Sequence, residues 1–231
     1  MLDLWLQPVT LTSTQWAAQR AHVLDLEEAE RWKRYLKRES QDLFLVAHVA
    51  TRFVLSEYAA TDPAGWAFER GENGRPELAG GPAGLRFNIS HTDGMVAVLV
   101  HGQADAGVDV ESPWRTTDIT SVSRRVFTEA ERAAMLALPD EQQAERFYQL
   151  WTLKESFIKA KGKGFAMPLS KFGFVMGNNG SLEFACDPAL DPDATRWSFS
   201  TTWTDSGHVV SVCANVPDGP GEPPSLRSLD V

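Results

Sequence analysis

At 231 residues and a net charge of −9, the chain is long enough to bury one large core or two smaller ones, and its acidic balance argues against nonspecific nucleic-acid binding, which needs a broad basic surface. The best apolar run, Met95 to Val100, falls short of a bilayer span, so no membrane segment is expected. Met1-Leu2-Asp3-Leu4 carries an acid where a secretory signal carries positive charge, so no leader is expected either.

In chain order, Leu2 to Pro8 reads as an edge strand closed by proline. Thr12 or Ser13 caps a helix through about Leu24, and Glu27 to Lys37 continues helically through the basic cluster from Arg31 to Arg38. Ser40 to Tyr58 is a long amphipathic helix whose apolar stripe, including Phe44, Val46, Ala47, Ala50 and Val54, makes it the core of a first half. Thr61-Asp62-Pro63-Ala64-Gly65 breaks the helix, and Trp66 to Arg70 reads as a strand. Two glycine-rich stretches follow, Gly71 to Pro76 and Gly80 to Gly84, whose small residues let backbone amides approach an anion. Leu85 to Ser90 and Met95 to His101 form a hairpin around Thr92-Asp93-Gly94, and Ala106 to Val110 is a further strand.

Gly107-Val108-Asp109-Val110-Glu111 alternates, so that as a strand it points Asp109 and Glu111 to one face. Thr128 and Glu131 form a capping box that opens a helix ended by Pro139. A second helix runs from about Glu141 through Lys161 to a stop at Gly162, burying Phe147, Leu150, Trp151, Phe157 and Ile158. On it Glu155 and Lys159 are neighbours, with Trp151 and Ile158 anchoring the opposite side, while Lys154 faces either a phosphate or solvent. If this helix crosses the end of the strand, Asp109, Glu111 and Glu155 converge. Three carboxylates that close repel one another unless a cation compensates them, and an all-oxygen donor set suits magnesium better than zinc. Beyond it, Lys171 to Val175, Ser181 to Ala185, Trp197 to Trp203 and His208 to Cys213 read as one antiparallel sheet with a turn at Gly177-Asn178-Asn179-Gly180. Cys186 and Cys213 read as free thiols of a reducing compartment, so a cytoplasmic location is expected. From Pro217 the tail is rich in proline and glycine and is expected to be loose.

Gly107-Val-Asp-Val-Glu111 and Trp151-Thr-Leu-Lys-Glu-Ser-Phe-Ile-Lys159, preceded by Gly74-Arg75-Pro76 and Phe87-Asn-Ile-Ser-His-Thr92, resemble in order and spacing the signature motifs of the 4'-phosphopantetheinyl transferases of the surfactin-synthetase-activating type. The resemblance spans about Arg31 to Leu169. It implies an α+β fold of two similar α/β halves related by a pseudo-two-fold, with the active site at their interface, although no internal sequence repeat is visible. The halves would be residues 1–104, binding coenzyme A, and 105–216, binding magnesium and catalytic, followed by a flexible tail at 217–231. The implied enzyme is a monomer that moves 4'-phosphopantetheine from coenzyme A to a serine of an apo acyl or peptidyl carrier protein, releasing adenosine 3',5'-bisphosphate. By the same resemblance Arg31, Arg75, Pro76, Ser90, His91 and Thr92 contact coenzyme A together with Glu155 and Lys159. Magnesium takes Asp109, Glu111 and Glu155, with the pyrophosphate completing its shell. Glu155 is the first choice for general base, acting directly or through a metal-bound water, Asp109 is the second, and Lys159 steadies the phosphates.

Two places depart from the family pattern. Glu27 and Glu28 stand where basic residues often read the 3'-phosphate, and Leu43 and Phe44 stand where an arginine is frequent. Arg31 is then the best remaining candidate for that phosphate, with His48 and Arg52 as fallbacks. A different magnesium-dependent phosphotransferase or nucleotide hydrolase, and a catalytically silent module that binds coenzyme A or carriers, are the other two readings of the same residues.

Overall fold

A computed structural model describes residues 1–71, 74–102, 105–112, 114, 117–164, 167–177, 181–215 and 224–231. The chain divides into two compact units, Met1–Gln103 with Pro224–Val231, and Ala104–Pro223. Both mix helix and sheet, an α+β fold, and no helix among the described residues is long and apolar enough to cross a membrane.

In the first unit, β1 (Leu2–Pro8) leads through α1 (Leu11–Gln19) and α2 (Leu26–Arg34) to the long α3 (Arg38–Ser56). A small ribbon of β2 (Phe68–Arg70) and β3 (Pro76–Leu78) precedes the hairpin of β4 (Arg86–Thr92) and β5 (Met95–His101). Asp93-Gly94 makes the tight turn of that hairpin, with Gly94 at φ 86°. β5 is buried along its whole length because it lies between β1 and β4, and its apolar run leaves neither face for water. Val96, Val98 and Val100 of β5, with Trp5 of β1, pack against Leu45, Val46 and Val49 of α3.

Several expectations are corrected here. β1 is not an edge: β5 pairs along one side and β11 (Ser225–Arg227) runs parallel along the other, which Pro8 permits by sitting at the strand's last residue. β11 also corrects the loose tail in part, since its Arg227 stands 3.5 Å from Asp3, while residues 216–223 lie outside the described residues. The first helix starts one turn early, because Thr10 and Ser13 form the capping box, and it ends at Gln19 rather than Leu24.

In the second unit, β6 (Ala106–Glu111) leads through α4 (Ile119–Val126) and α5 (Glu129–Leu136) to α6 (Asp140–Lys161). A ribbon of β7 (Phe172–Met176) and β8 (Leu182–Cys186) precedes the hairpin of β9 (Trp197–Trp203) and β10 (Val209–Asn215). The expected single four-stranded sheet is therefore two among the described residues: β9 and β10 join β6 in the order β6-β10-β9, and β7 pairs with β8. Of the proposed turn at Gly177, residues 178–180 lie outside the described residues. Gly162 ends α6 in the left-handed conformation, φ 64°, which costs glycine nothing. Phe157, fully buried on α6, meets Phe172, Phe184 and Trp197 at 4.9, 5.0 and 5.1 Å between rings and is the hub of this core.

The two units share one topology. Each runs first strand, short helices, long helix, ribbon and closing hairpin, with the last strand pairing antiparallel to the first and to its own hairpin mate. Each also places one cation on its long helix, buried against the N3 glutamate of the capping box that opens the preceding helix. In the first unit Arg52 of α3 meets Glu28 of α2 at 2.7 Å; in the second Lys154 of α6 meets Glu131 of α5 at 2.9 Å. Lys154 thus faces neither phosphate nor solvent: its ammonium also donates to the carbonyls of Leu169 and Phe172, at 2.9 and 2.6 Å. Burial lowers its pKa, opposed by the charge of Glu131.

Removing one member of a buried pair strands the other. Lys154→Met alone should cost about 3–5 kcal/mol in urea unfolding, and Lys154→Met with Glu131→Gln should recover at least half; equal losses in the single and double variants would contradict the pairing.

Candidate active site

β6 and α6 place the candidate catalytic residues. On β6 the odd positions Gly107, Asp109 and Glu111 share one face, and that face meets α6. A Cβ added at Gly107 would overlap the Ser156 carbonyl oxygen and the Ala160 nitrogen, so the helix backbone rests directly on the strand. On α6, Trp151, Glu155 and Lys159 are successively four apart and form one stripe. The two rows run in opposite directions, which brings Lys159 to Asp109 and Trp151 to Glu111. Lys159 Nζ donates to Asp109 Oδ1 at 2.7 Å, and Trp151 Nε1 donates to Glu111 Oε1 at 3.2 Å. Trp151 thus packs against the core, stacked on Phe147 at 6.0 Å as an anchor, and with its indole N–H also joins the stripe of Glu155 and Lys159.

Glu155 sits between these contacts, 9 % exposed, with Oε1 buried and without a hydrogen-bond partner among the described residues. Burial raises its pKa to about 7, Asp109 and Glu111 add repulsion, and Lys159 opposes it. Such a group is costly to the fold, which is a signature of a working site. Below it, Ser211, the neighbour of Asp109 on β10, meets the Thr152 hydroxyl at 2.7 Å and donates to Thr201 at 3.1 Å, fixing α6 to the sheet.

The expected three-carboxylate metal cluster is not closed: among the described residues no group of three Asp, Glu, His or Cys side chains is gathered around one point. Lys159 and Trp151 each hold a carboxylate oxygen instead. The residues nevertheless fit a hard divalent cation. All donors are oxygens, one buried Glu155 oxygen is unpartnered, and the repulsion felt by Glu155 is what such an ion relieves.

The first unit contains a pocket of about 310 Å³ beside α2, α3 and β4, lined in part by Arg31, Phe44, His48, Pro76 and His91. Phe44 stacks on His48 at 3.9 Å and Tyr35 lies 5.3 Å from Phe44, with the Arg31 guanidinium 5.5 Å from the Phe44 ring. Of the expected coenzyme contacts, Arg31, Pro76 and His91 reach this pocket. Ser90 and Thr92 do not: strand alternation turns them to the opposite face of β4, where both are buried. Arg75 is half-buried, and its guanidinium lies 3.4 Å from the Phe87 carbonyl oxygen. Arg52 is withdrawn as a fallback phosphate contact because Glu28 holds it with its side chain 1 % exposed; His48 is held by the same carboxylate at 2.8 Å. Burial alone would raise the pKa of Glu28, but hydrogen bonds from His48 and Arg52, with their charges, hold it at about 2.

Sequence reasoning missed the close approach at Gly107, the contact of Trp151 with Glu111, and the tie from Glu28 to Arg52. The first two carried a signal, in the strand parity and in the four-residue spacing; the third, a pairing 24 positions apart, carried none.

A family model described as the 4'-phosphopantetheinyl transferase superfamily matches residues 105–213, and one described as 4'-phosphopantetheinyl transferase, N-terminal, matches residues 10–103. The 4'-phosphopantetheinyl transferase Sfp of Bacillus subtilis is 31% identical over 196 residues, covering 84% of this chain and 83% of that protein. The 4'-phosphopantetheinyl transferase HetI of Nostoc is 30% identical over 167 residues, covering 71% and 70%. A solved holo-(acyl-carrier-protein) synthase of Bacillus anthracis in complex with CoA (3',5'-ADP) aligns with a TM-score of 0.40 at 17% identity, over 48% of this chain and 93% of that one.

Gly107→Ala should lower stability by about 1–3 kcal/mol in urea unfolding. Gly102→Ala, whose Cβ would meet nothing within 4 Å, should change it by under about 0.5 kcal/mol; equal effects would show that α6 need not rest on the strand. Because the folded pKa of Glu28, about 2, lies below its ordinary 4.5, its contribution is complete above pH 4.5 and lost as pH falls toward 2. After allowance for screening it is on the order of 2 kcal/mol, so Glu28→Gln should be less stable than the parent at pH 6, and the difference should shrink steadily below pH 4.5 and vanish only below the folded pKa of about 2.

Proposed function

The chain belongs to the 4'-phosphopantetheinyl transferase superfamily and is an enzyme of that class, and from that premise we propose that Asp109, Glu111, Glu155 and Lys159 move 4'-phosphopantetheine from coenzyme A to a serine hydroxyl of an apo acyl or peptidyl carrier protein, releasing adenosine 3',5'-bisphosphate. The observation that carries this reading is Glu155, a buried carboxylate with an unpartnered oxygen, set on one stripe of α6 beside Lys159 and facing Asp109 and Glu111 of β6.

Serine is a weak nucleophile until a base takes its proton, and the buried Glu155 carboxylate, beside Asp109 and Lys159, is placed to accept it. Glu155 is that base. It accepts the hydroxyl proton, directly or through a water, as the serine oxygen attacks the phosphorus that bears pantetheine. Lys159, already within reach of Asp109, holds the negative charge that develops on the pyrophosphate as its bridging bond breaks. Asp109, Glu111 and Glu155 would hold the magnesium, whose chemistry when bound is to neutralise the pyrophosphate. Asp109 is the second choice for base, since its engagement with Lys159 leaves it the poorer acceptor. Trp151 fixes Glu111, and the Thr152–Ser211 contact keeps the stripe of α6 in register with β6.

Arg31, Pro76 and His91 take the adenosine end of coenzyme A in the pocket of the first unit, beside which Arg75 donates to the Phe87 carbonyl. Both cysteines are free, which suits a reducing compartment such as the cytoplasm; action as a monomer is part of the proposal.

The test is the intact mass of an apo carrier incubated with the protein, coenzyme A and magnesium. One phosphopantetheine should be gained, and EDTA or Asp109→Ala should abolish the gain. Glu155→Gln should fold normally and lower kcat by roughly 10²–10⁴-fold. Hydrolysis of coenzyme A without transfer would instead identify a phosphohydrolase. Absence of reaction across fatty-acid, polyketide and peptide carriers, with coenzyme A still bound, would identify a silent binding module.

A further inference from the structure

One edge of the first unit's sheet carries a charge that limits what can pair with it. β1 has β5 along one side; along the other, β11 adds three residue pairs, Asp3 with Ser225, Leu4 with Leu226 and Trp5 with Arg227. Asp3 shares the face of β1 that sends Trp5 into the core against α3. A carboxylate on that face, 7 % exposed, guards the edge, because a strand laid beside it must supply a cation or leave a buried charge unpaired. The Tyr58 hydroxyl donates to Asp3 at 2.7 Å and accepts from Trp5 Nε1 at 2.7 Å, which fixes the carboxylate without supplying that cation.

The cation comes from the far end of the chain. Arg227 stands 3.5 Å from Asp3, with its guanidinium 5.7 Å from the centre of the Trp5 ring. Leu229, two residues on, packs against the same core, while Leu226, on the opposite face, is 66 % exposed. All three residues of β11 are exposed, so the strand is held by a short ladder, one ion pair and one leucine.

We propose that the β1 edge is a strand-acceptor site that Asp3 keys to arginine, filled by residues 224–231 of this chain as a displaceable strap. The ligand it takes is an extended segment with arginine opposite Trp5 and leucine two residues beyond, added by backbone pairing. A segment without the cation is refused because Asp3 would be left buried and unpaired.

The experiment uses the full-length protein and a synthetic octapeptide of residues 224–231. Arg227→Glu, at a half-exposed side chain, should release the strap: amide hydrogen exchange across residues 225–227 should quicken at least tenfold while the circular dichroism stays that of the parent. The octapeptide should bind the Arg227→Glu protein at least fivefold more tightly than the parent, whose own strap competes at high effective concentration. An octapeptide carrying Arg227→Glu should bind that protein at least tenfold more weakly than the unaltered one, and Asp3→Asn in the protein should bring the two octapeptides within threefold of each other. Unchanged exchange in Arg227→Glu, no preference of the octapeptide for the variant protein, no preference of that protein for the unaltered octapeptide, or a preference that survives Asp3→Asn would each overturn the proposal.

Discussion

The second unit depends on the contact of α6 with β6 at Gly107, where helix backbone meets strand with no side chain between them. Any residue with a Cβ there would push the helix outward. Lys159 would then leave Asp109 and Trp151 would leave Glu111, because both contacts span the same gap. The glycine serves space rather than turn geometry, and the row Gly107, Asp109, Glu111 is one device: a gap, then two carboxylates presented to the helix that the gap admits. Glu155 is raised toward neutrality because this approach buries it among like charges.

The two units use charge in related ways. In each, the N3 glutamate of a capping box has a second role as the partner of a cation buried on the following long helix, Arg52 with Glu28 and Lys154 with Glu131. Such a tie sets the angle between a short helix and the long one, and it is costly to break from either side. In the first unit the same glutamate also borders the pocket and holds His48, so a structural tie decides the electrostatics of a binding surface. Glu28 is thus not a basic residue lost from the family pattern; it answers a guanidinium the core could not otherwise bury.

Much of the fold was legible because its signals are local. The Thr128–Glu131 capping box, the Gly162 stop, the Asp93-Gly94 turn and the all-apolar β5 each rest on residues within a few positions of one another. Where the reading failed, the deciding partner lay far along the chain. β1 read as an edge until β11 returned from the C-terminal end to pair with it, and the last four strands read as one sheet because sequence does not say that β10 chooses β6. α4 was missed because it is only eight residues long, although Asp118 caps it and Ile119, Val122 and Val126 repeat at helical spacing and face the core.

The sequence by itself determined which residues could form the site: strand parity put Asp109 and Glu111 on one face, and helical spacing put Glu155 beside Lys159. Those are properties of a backbone period and need no partner. Tertiary structure decided what the side chains do, because pairing depends on burial and on distances between segments that the chain does not encode locally. It drew Lys154 into the core, gave Lys159 to Asp109 and Trp151 to Glu111, turned Ser90 away from His91, and engaged Arg52 while leaving Arg31 its place over Phe44.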